Sequence, residues 1–576
     1  MIHRISVCLQ SAGGTVTNTH SDLSERDDMI SHGEAPGVPG TERTALSPVQ
    51  PGPGLRSEPF MIHTRLLFAA SCLTLMSACG ADSVGGALAS IGITSGPPPE
   101  GTLLQSPAQL VSTVTAPSLL VELNVATHQQ LLSLSGTPVC DVLIYTIEYE
   151  TVDGANQPTT ASGALMVPSG LGSTCTGSRP IVEYAHGTST DRNFSMADLS
   201  NDEPLALAAV FASQGYIVVA PNYAGYDTST LTYHPYLIAE QQSKDMMDAL
   251  KAARTALPLV SATLTRDSGK LFITGYSQGG YVAMATHRAM QAAGMTVTAS
   301  APMSGPYALA AFADAVFYGD VNGGAPISTT LLLTAYQAAY GNIYADPSEV
   351  FEPPYATGIQ TLLPTTMTRS QLYSEGLLPQ YALFSLTPPA PQFAAITPPT
   401  TPAALAAVFA LGFGTGNLIQ NSYRLSYLQD AQANPDGGFP TVTTGVASPS
   451  AQLPARQALQ RNDLRNWVPT APLQLCGGDL DPVVFFFNTQ LMQGYWAANA
   501  PASASIGVLD LESAVAANDP YATLKQGFEL AKQALAAAAV AQGASDGGAS
   551  AVATAYHATL VAPFCFAASR SFFANY

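Results

Sequence analysis

Charge is scarce in this chain. Only 11% of its 576 residues are Asp, Glu, Lys or Arg, and the net charge is −19. Phosphate backbones require clustered Lys and Arg, so this balance excludes nucleic acid as a partner. The chain also lacks a Cys/His cluster at zinc spacing, a phosphate-binding loop and a dinucleotide fingerprint after a strand, so no metal or cofactor is expected. What it has in quantity is apolar residues, 47% of the total. That is enough for a large core, either one big domain with an insertion or two to four domains.

The stretch from Met61, "MIHTRLLFAASCLTLMSACGADS", has the layout of an export signal. Arg65 is a short basic region, Leu66 to Leu75 is an apolar run too short to span a bilayer, and Ser77-Ala78-Cys79-Gly80 closes it. It resembles a bacterial lipoprotein signal, which implies lipidation at Cys79. Met76 stands where such signals more often carry Leu, and an ordinary secretory signal is the alternative. Residues 1–60 are polar and rich in Gly and Pro, and are expected to be an extension from a misplaced start. Residues 61–78 are then the signal peptide and 79–105, with "GPPPE", a flexible linker. The expected location is the bacterial outer membrane or the secreted and periplasmic space. Contact with a membrane is expected only through the anchor at Cys79.

Of seven cysteines, Cys8 lies in the extension, Cys72 in the signal and Cys79 at the lipid site. Cys140, Cys175, Cys476 and Cys565 remain. An even number in an exported chain suggests two disulfides. Three pairings are possible. Cys140–Cys175 and Cys476–Cys565 are favoured because each cysteine lies near a strand end.

Beyond residue 105 the pattern alternates. "VLIYTIEYETVDGANQPTTASGALMVP" reads as a hairpin. "RPIVEYAHG", "GYIVVAPNYAGYD", "KLFITG" and "VTASAPMSGP" are buried strands, separated by helical stretches such as "EQQSKDMMDALKAARTAL" and "GYVAMATHRAMQAAG". Fully apolar strands alternating with helices predict an α/β fold, a mostly parallel sheet covered on both faces. Ligands of such sheets bind at the carboxyl ends of the strands, where His186, Asn222 and Ser277 fall. From Gly305 to Arg465 the rhythm breaks into helical and Pro-rich segments, which suggests an inserted cap over 305–465. Strand character returns with "APLQLCGGDLDPVV" and "ASIGVLDLES", and a long helix follows in "DPYATLKQGFELAKQALAAAAVAQG".

Gly275-Tyr276-Ser277-Gln278-Gly279-Gly280 fits the G-x-S-x-G elbow, with the required strand before it and helix after it. A serine hydroxyl is a weak nucleophile and needs a base. Only His287 and His557 follow Ser277. His287 falls in the elbow's own helix and should point away from the site. That leaves His557, placed in a loop between a helix and the final apolar segment. Asp479 and Asp481 both fit an acid on a late loop, with Asp510 a more distant third.

Taken in order, "AHGT", "VVAPNYAGYD", "GYSQGG", "GGDLDPVV" and "YHATLVAPFC" resemble the α/β-hydrolase superfamily, especially bacterial secretory lipase-like and prolyl-oligopeptidase-like serine hydrolases. The resemblance covers 106–304 and 466–576 as an α/β-hydrolase core and leaves the cap uncovered. It implies Ser277 as nucleophile, His557 as base and Asp481 as the orienting acid, because Gly478-x-x-Asp481-Pro-x-Val matches the acid turn of this fold. It implies an oxyanion hole from the N–H groups of Gln278 and Thr188. Asn222 departs from the Asp that many relatives carry before Tyr-x-Gly, and bears on the shape of the pocket.

The expected function is an exported serine hydrolase of carboxylic esters, acting as a monomer through an acyl-enzyme. Aromatics of the cap, Phe312, Phe317, Tyr318, Tyr336, Tyr340, Phe384 and Phe409, suit lipids or hydrophobic polyesters. The alternatives are a prolyl-oligopeptidase-like peptidase, for whose usual propeller there is no room, and a non-catalytic surface binding lipoprotein.

Overall fold

The computed structural model describes residues 97–125, 127–260, 265–436, 447 and 450–576. The expected extension 1–60, the signal 61–78, Cys79 and the linker up to residue 96 lie outside them.

The described residues form a nine-stranded sheet in the order β1-β2-β3-β5-β4-β6-β7-β8-β9. The strands are β1 (Gln109–Val114), β2 (Asp141–Val152), β3 (Pro158–Ser169), β4 (Gly177–Ala185), β5 (Ile217–Pro221), β6 (Thr265–Tyr276), β7 (Ala299–Met303), β8 (Leu473–Gly477) and β9 (Ile506–Asp510). The first three are antiparallel to their neighbours, and β5-β4-β6-β7-β8-β9 run parallel. The β2–β3 hairpin closes on Asp153. Its carboxylate accepts the N–H groups of Ala155 and Gln157 at 2.9 and 2.7 Å. Asn156 there takes the left-handed conformation at φ 65°, which an amide side chain tolerates well.

Parallel strands have two covered faces, so both side-chain directions must be apolar. In β6, Ile273 points into one core and Phe272 into the other. Helices Ala239–Val260 and Gln278–Ala292 cover the first face. Ala116–Leu123, Asp202–Val210 and Ala562–Phe573 cover the second. Each fully buried Ile, Leu or Phe contributes about 1.5–3 kcal/mol relative to exposure.

The cap lies between β7 and β8 and is mainly helical, with Leu309–Phe317, Ala325–Tyr340, Asn421–Ala433 and Pro454–Arg461 its longer pieces. Its apolar residues share one continuous core with the sheet's first face. Arg456 donates to both oxygens of Asp314, at 3.1 and 2.8 Å, and joins two of these helices. Far along the cap, Thr365 N–H donates to Thr190 O at 2.8 Å, so the cap also grips the loop after β4.

The linker was expected to reach residue 105. Gly101 and Leu104 instead donate to Glu150 O and Glu148 O at 2.7 and 2.8 Å. Leu103 packs against the core, which gives this stretch a reason to lie along β2. Cys140 is bonded to Cys175 and Cys476 to Cys565. The second bond ties the end of β8 to the C-terminal helix.

Candidate functional site

The carboxyl ends of β4, β5, β6 and β8 converge. Ser277 follows β6 at φ 60°, ψ −121°, a conformation costly for any residue with a side chain. Surrounding backbone enforces it. Ser277 N–H donates to Met303 O at 3.0 Å. A Cβ on Gly279 would meet Ala185 O at 1.9 Å, and one on Gly275 would meet Gly279 O at 2.3 Å. Glycine at both positions is therefore a packing requirement, and the turn lifts the Ser277 hydroxyl into the cavity.

Asp481 comes from the loop after β8 and is 1% exposed. Its Oδ1 accepts the N–H groups of Val483 and Val484 at 2.9 and 3.0 Å. Its Oδ2 faces His557 Nδ1 at 2.7 Å. Asp479 is exposed, and its backbone N–H is held by Asp510 at 3.1 Å, so neither of those carboxylates meets His557. His557 was expected in a loop. It sits instead in a π-helical segment, Tyr556–Val561, between two α-helices. A widened turn of this kind is frequent at functional sites because it redirects one side chain without ending the helix. Tyr276, immediately before Ser277, donates its hydroxyl to His557 O. Among the described residues neither His557 Nε2 nor Ser277 Oγ has a hydrogen-bond partner. Both line the same cavity of about 800 Å³. Serine–histidine contacts in hydrolase sites are often long without substrate and tighten when it binds.

Gln278 opens the helix after Ser277, and Thr188 lies in the loop after β4. Among the described residues neither backbone N–H has a protein acceptor, and both residues line the cavity. The Gln278 side chain donates to His234 Nε2 at 2.7 Å, while His234 Nδ1 faces Ala224 O at 3.0 Å. Burial pushes the His234 imidazole down to about 3, so the ring is neutral and accepts from Gln278. Thr188 Oγ1 pairs with Tyr236 Oη at 2.9 Å. His186 is wholly buried, stacks on Tyr223 at 4.1 Å, and faces Gly187 O and Asn222 O with its two nitrogens. Burial pushes it down to about 4, and a neutral ring donates to one of these carbonyls at a time.

Some expectations fail. Asn222 is buried and does not line the cavity. Its amide is used up by Met196 N–H, Ser162 and Asp227, so it braces neighbouring loops. Of the seven cap aromatics only Phe312 and Phe317 line the cavity. Phe384 instead lies under the Arg424 guanidinium, 4.4 Å from its ring centroid, and Phe409 packs on Phe485. Tyr423 and Tyr427 line the wall and were missed. They belong to a helix whose polar and apolar residues show little sidedness. His287 binds Ser300 Oγ at 2.8 Å and rests edge-on to Trp467, away from the cavity.

Glu203 carries no motif that marks it in the sequence. It sits in the first turn of helix Asp202–Val210 and lines the cavity. Burial pushes its carboxyl up to about 7, against the pull of hydrogen bonds from Tyr184 and Gly187.

A parallel sheet with an antiparallel edge, a strained serine between β6 and its helix, and an Asp–His pair from later elements define an α/β-hydrolase fold. The chain is a hydrolase of the α/β-hydrolase type. Residues 206–319 match the prolyl oligopeptidase family. Among curated proteins none matches the sequence. Among solved structures, the ligand-bound rice cell wall degrading esterase LipA from Xanthomonas oryzae is similar, at 26% identity and a TM-score of 0.56, over 74% of this chain and 95% of that one. Another crystal structure of LipA from Xanthomonas oryzae gives 27%, 0.55, 74% and 95%. A Legionella pneumophila protein classed as a hydrolase shares the fold at 18% identity and a TM-score of 0.55, over 82% and 97% of the two chains.

Proposed function

We propose that this protein is an exported carboxylic ester hydrolase working through an acyl-enzyme. The observation that carries this reading is the Asp481–His557 contact at 2.7 Å, on the wall of the cavity that Ser277 shares. His557 Nε2 takes the Ser277 proton as Oγ bonds to the ester carbonyl carbon. The carbonyl oxygen becomes an oxyanion facing the N–H groups of Thr188 and Gln278. Collapse breaks the bond to the alcohol oxygen, which leaves with the proton from His557. Water repeats the sequence and frees the acid. Asp481 holds the His557 tautomer and stabilises the imidazolium. Phe312, Phe317 and Val316 give the cavity an apolar wall suited to a lipid or polyester acyl group. The esterase likeness supports ester rather than amide chemistry.

The family match favours a second reading, a prolyl-specific peptidase. Its span, 206–319, contains the elbow that both chemistries share. Among the described residues, those ahead of it from 97 onward form β1 to β4 of the same sheet and no propeller. Hydrolysis of p-nitrophenyl esters of graded chain length, against a panel of prolyl amides, separates the two. Turnover of the amides alone would reject the ester reading. Export with a lipid at Cys79 belongs to the proposal, as does a monomeric state. Mass spectrometry of the mature N-terminus tests the first, and a peptide from upstream of Met61 would overturn it.

A further inference from the structure

We propose that Glu203 is a positioning residue for the oxyanion loop, clamping Gly187 so that the next N–H, that of Thr188, stays aimed into the cavity. This rests on the reading of Thr188 as an oxyanion donor. Gly187 is the loop's softest point, because glycine constrains neither of its backbone dihedrals. Its N–H donates to Glu203 Oε1 at 2.9 Å. The same oxygen accepts the Tyr184 hydroxyl at 2.5 Å, so the carboxylate is itself anchored to β4, the strand that leads into the loop. The loop runs between two neighbours at ordinary contact distance. A Cβ on Gly187 would lie 3.6 Å from Glu203 Oε2 and 3.6 Å from the carbonyl oxygen of Tyr276, the residue before the nucleophile. Beyond Gly187, the Thr188 hydroxyl is tied to Tyr236 and its carbonyl faces Arg369 Nη2 at 3.4 Å, a long contact. Those ties hold Thr188 from its far side, and Glu203 holds the near side. Glu203 needs no proton transfer for this role. It needs an acceptor oxygen in a fixed place.

The consequence is a split between binding and turnover. An oxyanion donor acts on charge that develops after substrate binds, so a loosened donor lowers kcat and spares KM. Glu203→Ala is expected to lower kcat for p-nitrophenyl butyrate by about tenfold or more, with KM within about threefold of wild type. Rates are taken per active site titrated with a fluorophosphonate, so a misfolded fraction does not count. Glu203→Gln keeps an acceptor oxygen of the same length and is expected within about threefold of the wild-type kcat. Glu203→Asp fills most of the space but is one methylene short of Gly187, so it should behave like Ala, and it carries the test if Glu203→Ala does not fold. Three results would overturn the proposal: an unchanged kcat in the Ala and Asp variants, a raised KM at constant kcat, or a Gln variant as slow as Ala. Ser277→Ala is assayed alongside. Ester hydrolysis surviving in that variant would sink the site reading itself, whereas its loss beside a fully active Glu203→Ala would sink only the clamp.

Discussion

Replacing Asp481 with Asn tests the base and its orienter through one atom. Oδ1 of Asp481 accepts two backbone N–H groups, from Val483 and Val484, at 2.9 and 3.0 Å. An Asn side chain must put its carbonyl oxygen there, because an NH2 group would face two donors. Its NH2 group is then forced toward His557 Nδ1, where Oδ2 stood at 2.7 Å. A donor at that place selects the imidazole tautomer with Nδ1 bare and the proton on Nε2. Nε2 then has no lone pair with which to take the Ser277 proton. Fixing the wrong tautomer at a buried site of this kind lowers kcat by about 10⁴-fold, or about 5.4 kcal/mol in the barrier. KM should hold within a few-fold, because nothing that touches the bound ester has changed. The assay is steady-state hydrolysis of p-nitrophenyl butyrate, with thermal melting to confirm the fold. Asp479→Asn is the control and should stay within about twofold, since only its backbone N–H has a described partner near the site. A loss under about tenfold in a folded Asp481→Asn protein would refute the reasoning.

Two further outcomes concern stability. Glu183 is fully buried in β4, its two carboxylate oxygens have no hydrogen-bond partner among the described residues, and burial pushes its carboxyl up to about 8. The folded state then binds more protons than the unfolded state between the ordinary Glu value and about 8, so stability falls as pH rises through that window. Glu183→Gln should match wild type near pH 5 and melt higher at pH 9; equal melting temperatures at both would contradict this. The Cys476–Cys565 bond closes a sequence separation of 89 residues. By chain entropy it is worth about 4–5 kcal/mol. Replacing both cysteines with Ser should lower Tm by roughly 4–5 °C and reduce kcat as well, because the bond ties the strand before Asp481 to the helix after His557. Unchanged melting would contradict the first part.

Local chemistry made much of this site legible in the sequence. The G-x-S-x-G turn announces itself because only glycine fits beside Ala185 O and Gly279 O, and the apolar run of β6 must precede it. The candidate acid and His emerge from chain order, and the resemblance of Gly478-x-x-Asp481-Pro-x-Val to the acid turn prefers Asp481 over Asp479. What stayed hidden depends on contacts between distant segments. Glu203 reads as an ordinary acidic residue in a helix's first turn, and only the fold sets it against Gly187. The π-helical turn at His557 has no composition signature, since "YHATLV" is compatible with loop or helix. Cap aromatics are equally apolar whether they face the cavity, as Phe317 does, or a neighbouring ring, as Phe409 does. The sequence neighbours of Asn222 point to the pocket, yet its partners are Ser162, Met196 and Asp227.

The central claim is that Ser277 becomes covalently acylated. Incubation with a fluorophosphonate probe, followed by intact mass and peptide mapping, tests it most directly. One adduct per chain is expected, on the peptide containing Ser277, with none on Ser277→Ala. Equal labelling of the Ala variant, or no labelling of folded wild type, would contradict the account.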